Sequence, residues 1–202
     1  MKKGNLSICV FCGSSSGSNP VYTDKAIALG NLFTEKNITL VYGGSNVGLM
    51  QVIADTMLEA GGKVVGVMPH TLIQREVAHK GLTEFHVVET MAERKAVMGD
   101  LSDAFISMPG GIGTLDELFE VMSWNQLDLI AKPVALYNVL GYYDQLLAFL
   151  DHSVDQRFVK SEHRFNLIAE SDENILLEKI FKYKPVKVDG GKWIKEIKES
   201  KF

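Results

Sequence analysis

Three glycines in four positions follow a short apolar segment near the middle of the chain. Residues 104–108 read Ala-Phe-Ile-Ser-Met, and residues 109–117 read Pro-Gly-Gly-Ile-Gly-Thr-Leu-Asp-Glu before an amphipathic stretch. Glycine has no Cβ atom to keep a ligand away from the main chain. The first N–H groups of a helix have no intrahelical partner and lie at the positive end of its dipole. A strand, a glycine loop and a helix start in this order predict an anion site, and phosphate is the usual occupant.

The acidic residue that ends this segment, Glu117, has two interpretations. The spacing from Thr114 to Glu117 matches a capping box, in which the glutamate folds back onto the helix start. Alternatively, Glu117 shares a stripe with Val121 and Trp124 and borders apolar surface, where burial raises the pKa of a carboxylate and suits it to acid–base or cation-stabilising chemistry. An anion site beside such a carboxylate suggests a phosphorylated sugar or nucleotide as ligand. The predicted core stripe of the same helix consists of Leu115, Leu118, Phe119 and Met122.

Two cations, Arg94 and Lys95, stand in the first turns of another predicted helix. The preceding residues 90–93 read Thr-Met-Ala-Glu, a second capping box. Cations near a helix N-terminus oppose the helix dipole at a cost of about 0.3–1 kcal/mol each. The stem of Arg94 could pack while its head reaches solvent or an acidic partner. A bound anion or a carboxylate that compensates the charge explains the position better.

Short apolar runs alternate with helical patterns along the chain, which predicts an α/β fold with a parallel sheet. Several of the apolar runs are continuous, as expected when helices cover both faces. We therefore expect a single domain, residues 1–184, built on a doubly wound parallel sheet flanked by helices, followed by a loosely attached tail, residues 185–202. The predicted strands are residues 6–12, 38–42, 63–68, 83–88, 104–108, 134–136 and 165–169. The predicted helices are residues 22–36, 47–60, 91–101, 114–127, 142–153 and 172–181.

Glycine-rich loops follow three of these strands, at residues 13–17, 43–48 and 110–113. We call them the first, second and third glycine loops. If the sheet order begins 3-2-1 and then crosses over, the first and third loops flank the point where the winding reverses, and all three could line one crevice. The second loop lacks the Lys-Ser/Thr pair of a triphosphate-binding loop, and no G-x-G-x-x-G fingerprint follows the first strand. Kinase-like and NAD-dependent chemistry are therefore not favoured.

Composition excludes several function classes. The 202 residues carry a net charge of −4 and no basic run before a sparse Lys/Glu tail, which argues against nucleic-acid or anionic-membrane partners. No apolar stretch approaches the 18 residues of a membrane span and no signal peptide is seen, so we expect a cytoplasmic protein. Cys9 and Cys12 are predicted to be core residues on opposite faces of a strand. No second cysteine pair or paired histidines complete a metal site.

These motifs resemble the Lonely Guy (LOG) proteins, which are cytokinin riboside 5'-monophosphate phosphoribohydrolases long mislabelled as lysine decarboxylases. The resemblance extends over about residues 6–158. It rests on residues 8–15, on Val-Tyr-Gly-Gly at 41–44, Val-Gly-Leu-Met at 47–50, Met-x-x-Arg-Lys at 91–95 and Pro-Gly-Gly-x-Gly-Thr-x-x-Glu at 109–117. It implies a Rossmann-like sheet, assembly as a homodimer or larger oligomer, and no metal or organic cofactor. Ser45, Gln51 and Ala92 depart from the family pattern, and none of them is a catalytic position.

The resemblance also implies roles for particular residues. Arg94 and Glu117 match the catalytic pair, Lys95 lies beside them, and Glu76 matches an acidic residue near the base. The residues expected to hold the 5'-phosphate are Gly110, Gly111, Ile112, Gly113 and Thr114. The further expected contact positions are Asp116, Ser123, Gly13, Ser14, Gly43 and Gly44.

The implied reaction is hydrolysis of an adenosine-type nucleoside 5'-monophosphate to ribose 5-phosphate and a free base. Cleavage of the N-glycosidic bond builds positive charge on the ribose, which a carboxylate can stabilise. A non-catalytic nucleotide-binding or carrier protein is the main alternative, since the fold binds nucleotides whether or not it cleaves them. A pyridoxal-phosphate lysine decarboxylase is disfavoured, because the only plausible lysine, Lys95, has a cationic neighbour. The sequence leaves open whether the base is adenine or an N6-substituted adenine.

Overall fold

A single parallel sheet of seven strands forms the centre of the molecule. The computed structural model describes residues 6–73 and 78–186. The spatial strand order is β4-β3-β2-β1-β5-β6-β7. The strands are β1 (Ser7–Phe11), β2 (Thr39–Tyr42), β3 (Val64–Pro69), β4 (Glu84–Val88), β5 (Ala104–Ser107), β6 (Val134–Tyr137) and β7 (Leu167–Glu170).

Helices connect successive strands, as the alternating pattern predicts. They are α1 (Val21–Glu35), α2 (Gly48–Glu59), α3 (His70–Ile73), α4 (Met91–Leu101), α5 (Ile112–Gln126), α6 (Asp144–Asp155), α7 (Ser161–Phe165) and α8 (Glu173–Phe181). The sequence did not predict α3 and α7, which are too short to show a periodic pattern. The predicted last strand begins at Leu167 instead of residue 165 because α7 ends at Phe165.

The winding direction reverses between β1 and β5. The chain moves outward from β1 to β4 on one side and then crosses back to pair β5 with β1, with Phe11 opposite Ser107 at the carboxyl end. The predicted 3-2-1 order followed by a crossover is confirmed. The first and third glycine loops therefore leave adjacent strands at the switch point, where ligands of such sheets bind.

Both faces of the sheet are covered by apolar side chains from the helices. Cys12 belongs to the buried cluster on one face and Cys9 to the cluster on the other, and both are free thiols. This arrangement confirms their prediction as core residues on opposite faces. Burial raises the pKa of both thiols, so they remain protonated and unreactive.

Helix α5 begins two residues earlier than the sequence predicts. Gly111 is its N-cap, with no side-chain capping bond, and the Gly111 carbonyl accepts the first helical hydrogen bond from Leu115 N–H at 3.1 Å. Thr114 therefore lies inside the first turn and is buried, so the capping-box interpretation of Thr114 and Glu117 is wrong. The core-stripe prediction fails at Phe119, whose side chain is 37% exposed, while Leu118 is fully buried. The second capping box is confirmed: Thr90 Oγ1 accepts from Glu93 N–H at 3.0 Å.

The start of the predicted tail is hydrogen-bonded to the side chain of Asn166 in the domain. Asn166 accepts from Val186 N–H at 3.0 Å and donates to the Val186 carbonyl at 3.1 Å. The rest of the predicted tail, residues 187–202, and the predicted contact Glu76 lie outside the described residues. None of the described helices is both long and apolar enough to cross a lipid bilayer.

Candidate active site

The three glycine loops are hydrogen-bonded to one another in series. Leu49 N–H, at the end of the second loop, donates to the Gly13 carbonyl at 3.1 Å, and Gly13 N–H donates to the Pro109 carbonyl at 3.0 Å. A cavity of about 290 Å³ opens between the first loop and residues 109–111, with Leu49, Tyr22 and Tyr142 completing its wall. The structure thus brings the predicted residues Gly13, Ser14, Gly110 and Gly111 to one cavity.

The start of α5 faces solvent beside this cavity. Ile112 and Gly113 are exposed, and a Cβ atom on Gly111 or Gly113 would meet nothing within 4 Å. The main-chain N–H groups of this turn, which lack intrahelical partners, are therefore accessible to an anion. Gly110 is different, because a Cβ atom there would lie 2.1 Å from Thr114 Oγ1. Only glycine lets the loop pack this closely on the helix start.

The second glycine loop does not line the cavity. Gly43 and Gly44 are buried, and their carbonyls accept from Arg94 Nη2 at 3.2 Å and from His79 N–H at 3.0 Å. A Cβ atom on Gly43 would lie 1.9 Å from Arg94 Nη2. Gly43 thus gives the arginine its space and one of its carbonyl partners, whereas the Gly44 carbonyl is bound to His79 N–H. Direct contact of Gly43 and Gly44 with a ligand remains a prediction.

Glu117 lies in the second turn of α5 with its carboxylate nearly enclosed, since only 12% of the side chain is exposed. Burial raises the pKa of this carboxyl group to about 7, and the positive charge of Arg94 opposes the rise. The ionised and the protonated form of this group are therefore both accessible near neutral pH. A carboxyl group with this pKa can exchange a proton or stabilise a cation near pH 7.

Arg94 holds the carboxyl ends of two strands and faces the glutamate. Its Nε donates to the Val67 carbonyl of β3 at 3.0 Å, its Nη2 to the Gly43 carbonyl after β2, and its Nη1 lies 4.0 Å from Glu117 Oε1. The head of Arg94 is buried, with 9% of the side chain exposed, so it does not reach solvent. Backbone carbonyls and a nearby carboxylate compensate its charge, which agrees with the favoured sequence interpretation in part. The carbonyl partners were not predicted.

Lys95 joins the two helices that carry these residues. Its Nζ lies 3.1 Å from Asp116 Oδ2 and 3.0 Å from Glu120 Oε2, both on α5. Partial burial lowers the pKa of Lys95, but hydrogen bonds to Glu120 and Asp116 outweigh it and raise the pKa above its ordinary value. Lys95 and Asp116 are therefore paired with each other, and their contact with a ligand remains a prediction. Glu120 was missed because its spacing resembles an ordinary solvated helix face.

Ser123 lies two turns beyond Asp116 and lines a different cavity. This second cavity, about 110 Å³, is enclosed by α5, α6, α7 and the ends of β6 and β7, with Phe119, Met122 and Leu150 among its lining residues. The structure does not bring Ser123 to the cavity between the glycine loops. Its contact with a ligand therefore stays a prediction from the family pattern.

Two tyrosines of the cavity wall were missed by the sequence analysis. Tyr22 lies in the first turn of α1, and Tyr142 follows β6 at the carboxyl edge of the sheet. Their rings contact each other edge to face, with centroids 6.0 Å apart. The sequence signal that could have found Tyr142 is the segment Gly-Tyr-Tyr at residues 141–143, which lies a few residues after a strand that ends at the same sheet edge.

Metal-ligating side chains do not cluster at this site. Within residues 6–73 and 78–186, the structure contains no group of three or more His, Cys, Asp and Glu side chains that could hold a metal ion. The charged groups of the described site are instead one arginine, one lysine and their carboxylate neighbours.

The fold and the site define a class: a Rossmann-like α/β protein with an exposed helix start at its switch point and an enclosed carboxyl group one turn further along that helix. Residues 50–180 match the family model described as "Possible lysine decarboxylase". The cytokinin riboside 5'-monophosphate phosphoribohydrolase LOG2 of Arabidopsis thaliana is 46% identical over 178 residues, which are 88% of this chain and 84% of that protein. The rice (Oryza sativa subsp. japonica) protein named probable cytokinin riboside 5'-monophosphate phosphoribohydrolase LOGL9 is 46% identical over 89% of this chain and 79% of its own length. The chain belongs to the Lonely Guy (LOG) family.

Solved structures with the same fold include proteins of other described roles. A molybdenum cofactor binding protein from Rippkaea orientalis superposes with a TM-score of 0.68 and 23% identity over 90% of this chain and 98% of that one. The molybdenum cofactor carrier protein of Chlamydomonas reinhardtii gives a TM-score of 0.67 and 17% identity over 89% of this chain and all of that one (100%). At these identities the similarity establishes the fold and carries no functional assignment.

Proposed function

We propose that this protein hydrolyses the N-glycosidic bond of adenosine-type nucleoside 5'-monophosphates, with adenine or an N6-substituted adenine as the base. The products are the free base and ribose 5-phosphate. One observation carries the proposal: the enclosed carboxyl group of Glu117, with a pKa of about 7 and Arg94 Nη1 at 4.0 Å, lies one turn beyond the exposed amides that begin α5. The family membership, through relatives named for this reaction, supports it.

The phosphate group is expected to bind the amides of residues 110–114, remote from the bond that breaks. This anchoring would fix the ribose relative to Glu117, so binding energy is used for orientation. As the C1'–N9 bond breaks, its electron pair leaves with the base and the ribose becomes oxocarbenium-like. The Glu117 carboxylate would stabilise this cation or orient the attacking water, whose hydroxide part joins C1' while its proton goes to the base.

Arg94 has a supporting role in this proposal. Its positive charge favours the ionised form of Glu117 against the effect of burial. Its Nε and Nη2 are bound to backbone carbonyls, while its Nη1 contacts Met91 Sδ at 3.8 Å and lies 4.0 Å from Glu117 Oε1. Arg94 would therefore favour the charged form of Glu117 and hold the carboxylate aimed at the ribose, which is the combination that the cationic transition state needs.

The test is chromatography of the products formed from AMP and from its N6-isopentenyl analogue, with the variant Glu117→Gln compared with the wild type. Because glutamine cannot carry the negative charge, we expect kcat to fall by at least about 100-fold while AMP still binds. The matched control is Glu173→Gln, which removes another largely enclosed carboxylate, 15% exposed and held by Tyr137 and Lys25 away from the loops. Unchanged turnover in Glu117→Gln would refute the proposal, and AMP binding without any turnover by the wild type would favour a carrier role.

The decarboxylase named by the family model receives no support from the site. A Schiff base with pyridoxal phosphate requires a neutral amine. Lys95 is instead held by two carboxylates that raise its pKa. Absence of lysine decarboxylation by protein supplied with pyridoxal phosphate would agree with this conclusion.

The family resemblance also leads us to propose a homodimer located in the cytoplasm. Multi-angle light scattering coupled to gel filtration measures the mass directly. A mass near twice the 22.4 kDa of one chain is expected. A mass of one chain would contradict the dimer.

A further inference from the structure

Two adjacent tyrosines each donate a hydrogen bond to a carbonyl of the chain segment that enters the third glycine loop. Tyr143 OH donates to the Met108 carbonyl at 2.6 Å, and Tyr142 OH donates to the Gly110 carbonyl at 2.6 Å. Both tyrosines follow β6, so they reach the loop from a strand that neighbours β5. We call Tyr142 and Tyr143 the tyrosine pair.

The carbonyls of Pro109 and Gly111 also accept hydrogen bonds, so every carbonyl from residue 108 to residue 111 has a fixed direction. The Pro109 carbonyl accepts from Gly13 N–H at 3.0 Å, and the Gly111 carbonyl accepts from Leu115 N–H at 3.1 Å. The C=O and N–H groups of one trans peptide point in opposite directions. A fixed Pro109 carbonyl therefore sets the direction of Gly110 N–H, and a fixed Gly110 carbonyl sets that of Gly111 N–H.

These hydrogen bonds are needed to fix the loop, because two consecutive glycines have little intrinsic preference for one peptide orientation. If the peptide between Gly110 and Gly111 turned over, its carbonyl oxygen would replace its N–H on the opposite side. An oxygen with partial negative charge would then face a bound anion. The hydroxyl of Tyr142 favours the orientation in which the amide, and not the carbonyl, points away from the tyrosine pair.

The tyrosine pair is itself held in place. The two rings meet edge to face with centroids 5.0 Å apart, and the Tyr142 ring also contacts Tyr22. Asn138 accepts from Tyr143 N–H at 2.7 Å and donates to Asp144 at 2.7 Å, which fixes the turn between β6 and α6. Tyr143 is fully enclosed, whereas Tyr142 is 45% exposed and lies in the cavity wall.

We propose that Tyr142 and Tyr143 are positioning residues for phosphate recognition, which hold the third glycine loop with its amides directed at the 5'-phosphate. The inference rests on the proposed function, because it assigns the ligand of these amides. It predicts that the tyrosine hydroxyls affect phosphate binding and not recognition of the base. If the tyrosine hydroxyls only stabilised the fold, their removal would weaken phosphate binding and base recognition equally.

The test is calorimetric titration of wild type and Tyr142→Phe with two probes, ribose 5-phosphate and adenosine. Loss of one hydrogen bond predicts a Kd for ribose 5-phosphate raised about 3- to 10-fold, with the Kd for adenosine unchanged. In turnover of AMP, KM is expected to rise by the same factor while kcat stays within about two-fold. The matched control is Tyr137→Phe, whose hydroxyl donates to Glu173 outside the loops, and its Kd for ribose 5-phosphate should equal that of the wild type.

The outcomes separate this inference from the proposed function. An unchanged Kd for ribose 5-phosphate in Tyr142→Phe, or an equal loss for adenosine, would overturn the inference. So would a wild type that does not bind ribose 5-phosphate. If the wild type binds ribose 5-phosphate and Tyr142→Phe binds it more weakly, but AMP is not hydrolysed, the inference stands and the proposed hydrolysis fails. Thermal unfolding of each variant confirms that the protein tested is folded.

Discussion

The pKa of Glu117 is raised because burial disfavours its charged form more strongly than the positive charge of Arg94 favours it. Burial raises the pKa of the carboxyl group to about 7, and the guanidinium, at 4.0 Å instead of hydrogen-bonding distance, lowers it only in part. Arg94 is held at that distance by its two backbone carbonyl partners. Small changes in this geometry would therefore change the ionised fraction at neutral pH.

The first prediction concerns this ionisation directly. In a carbon-13 NMR titration of the free protein, the side-chain carboxyl signal of Glu117 should show a midpoint near pH 7, because the charged form is disfavoured by burial. The signal is assigned by its loss in Glu117→Gln. Turnover that depends on the carboxylate should rise with pH through the same region. A midpoint near the ordinary value of 4.5 would show that the carboxyl group is solvated.

At the scale of elements, the site depends on close approaches between the ends of strands and helices. The second glycine loop, after β2, receives the head of Arg94 from α4, and Lys95 of the same helix pairs with Asp116 and Glu120 of α5. These contacts fix α4 relative to α5. They therefore also fix the position of Arg94 on α4 relative to Glu117 on α5, the proposed catalytic pair. Surface pairs such as those of Lys95 contribute about 0–1 kcal/mol, so their importance here is geometric.

The second prediction tests the approach at the second glycine loop. Gly43→Ala places a methyl group 1.9 Å from Arg94 Nη2, so the guanidinium must move and its hydrogen bond to the residue-43 carbonyl is lost. We expect a loss of about 2 kcal/mol or more in the free energy of unfolding and at least a tenfold fall in kcat. Denaturant unfolding and AMP turnover measure the two effects.

Gly113→Ala serves as the stability control for that prediction. A methyl group at residue 113 meets nothing within 4 Å and lies in the first turn of α5, where alanine is the better helix former. The free energy of unfolding should be unchanged or slightly increased. Equal stability of Gly43→Ala and the wild type would contradict the close contact between residue 43 and Arg94.

At the scale of the whole molecule, the doubly wound sheet brings distant segments together at the carboxyl ends of β1 and β5. The cavity wall combines residues 13–17, Leu49, residues 109–111 and Tyr142, which are separated by up to about 130 positions along the chain. The same sheet encloses Glu117, so ionisation of one side chain affects the stability of the entire fold.

The third prediction follows from this coupling. Because the pKa of Glu117 is raised in the folded state, its contribution to stability is fully present below about pH 4.5 and is lost as the pH rises through about 7. The variant Glu117→Gln has no ionisable group at this position and therefore does not lose this stability as the pH rises. The free energy of unfolding of the variant, relative to the wild type, should therefore increase between pH 5 and pH 9, by up to about 3 kcal/mol.

The free energies of unfolding of both variants are measured by urea denaturation at a series of pH values, and Glu173→Gln should show the opposite trend. Burial opposes the ionisation of Glu173, but hydrogen bonds from Tyr137 and Lys25 outweigh it and lower the pKa of this carboxyl group. Its stabilising contribution is present above the unfolded pKa and is lost as the pH falls. This variant should therefore lose stability relative to the wild type as the pH rises toward the ordinary value of 4.5. Parallel pH trends in the two variants would contradict the assignment of Glu117.

Local sequence determined the strands, the longer helices and the position of the third glycine loop. Continuous apolar runs, helical periodicity and the residues 109–113, Pro-Gly-Gly-Ile-Gly, were sufficient because they act over a few neighbouring residues. The strand order through β1 and β5 followed from general rules of chain winding. The start of α5 was placed two residues late, since Thr114 and Glu117 imitate a capping box while Gly111 caps the helix.

Only the tertiary structure decided how the functional groups are held. The carbonyl partners of Arg94, the enclosure of Glu117 and the hydrogen bonds from Tyr142 and Tyr143 all join segments that are far apart in sequence. No local pattern encodes such distances. The sequence alone determined which chemical groups are available and at which edge of the sheet they lie. Packing set their distances, burial and protonation, because those quantities depend on neighbours that only folding brings together.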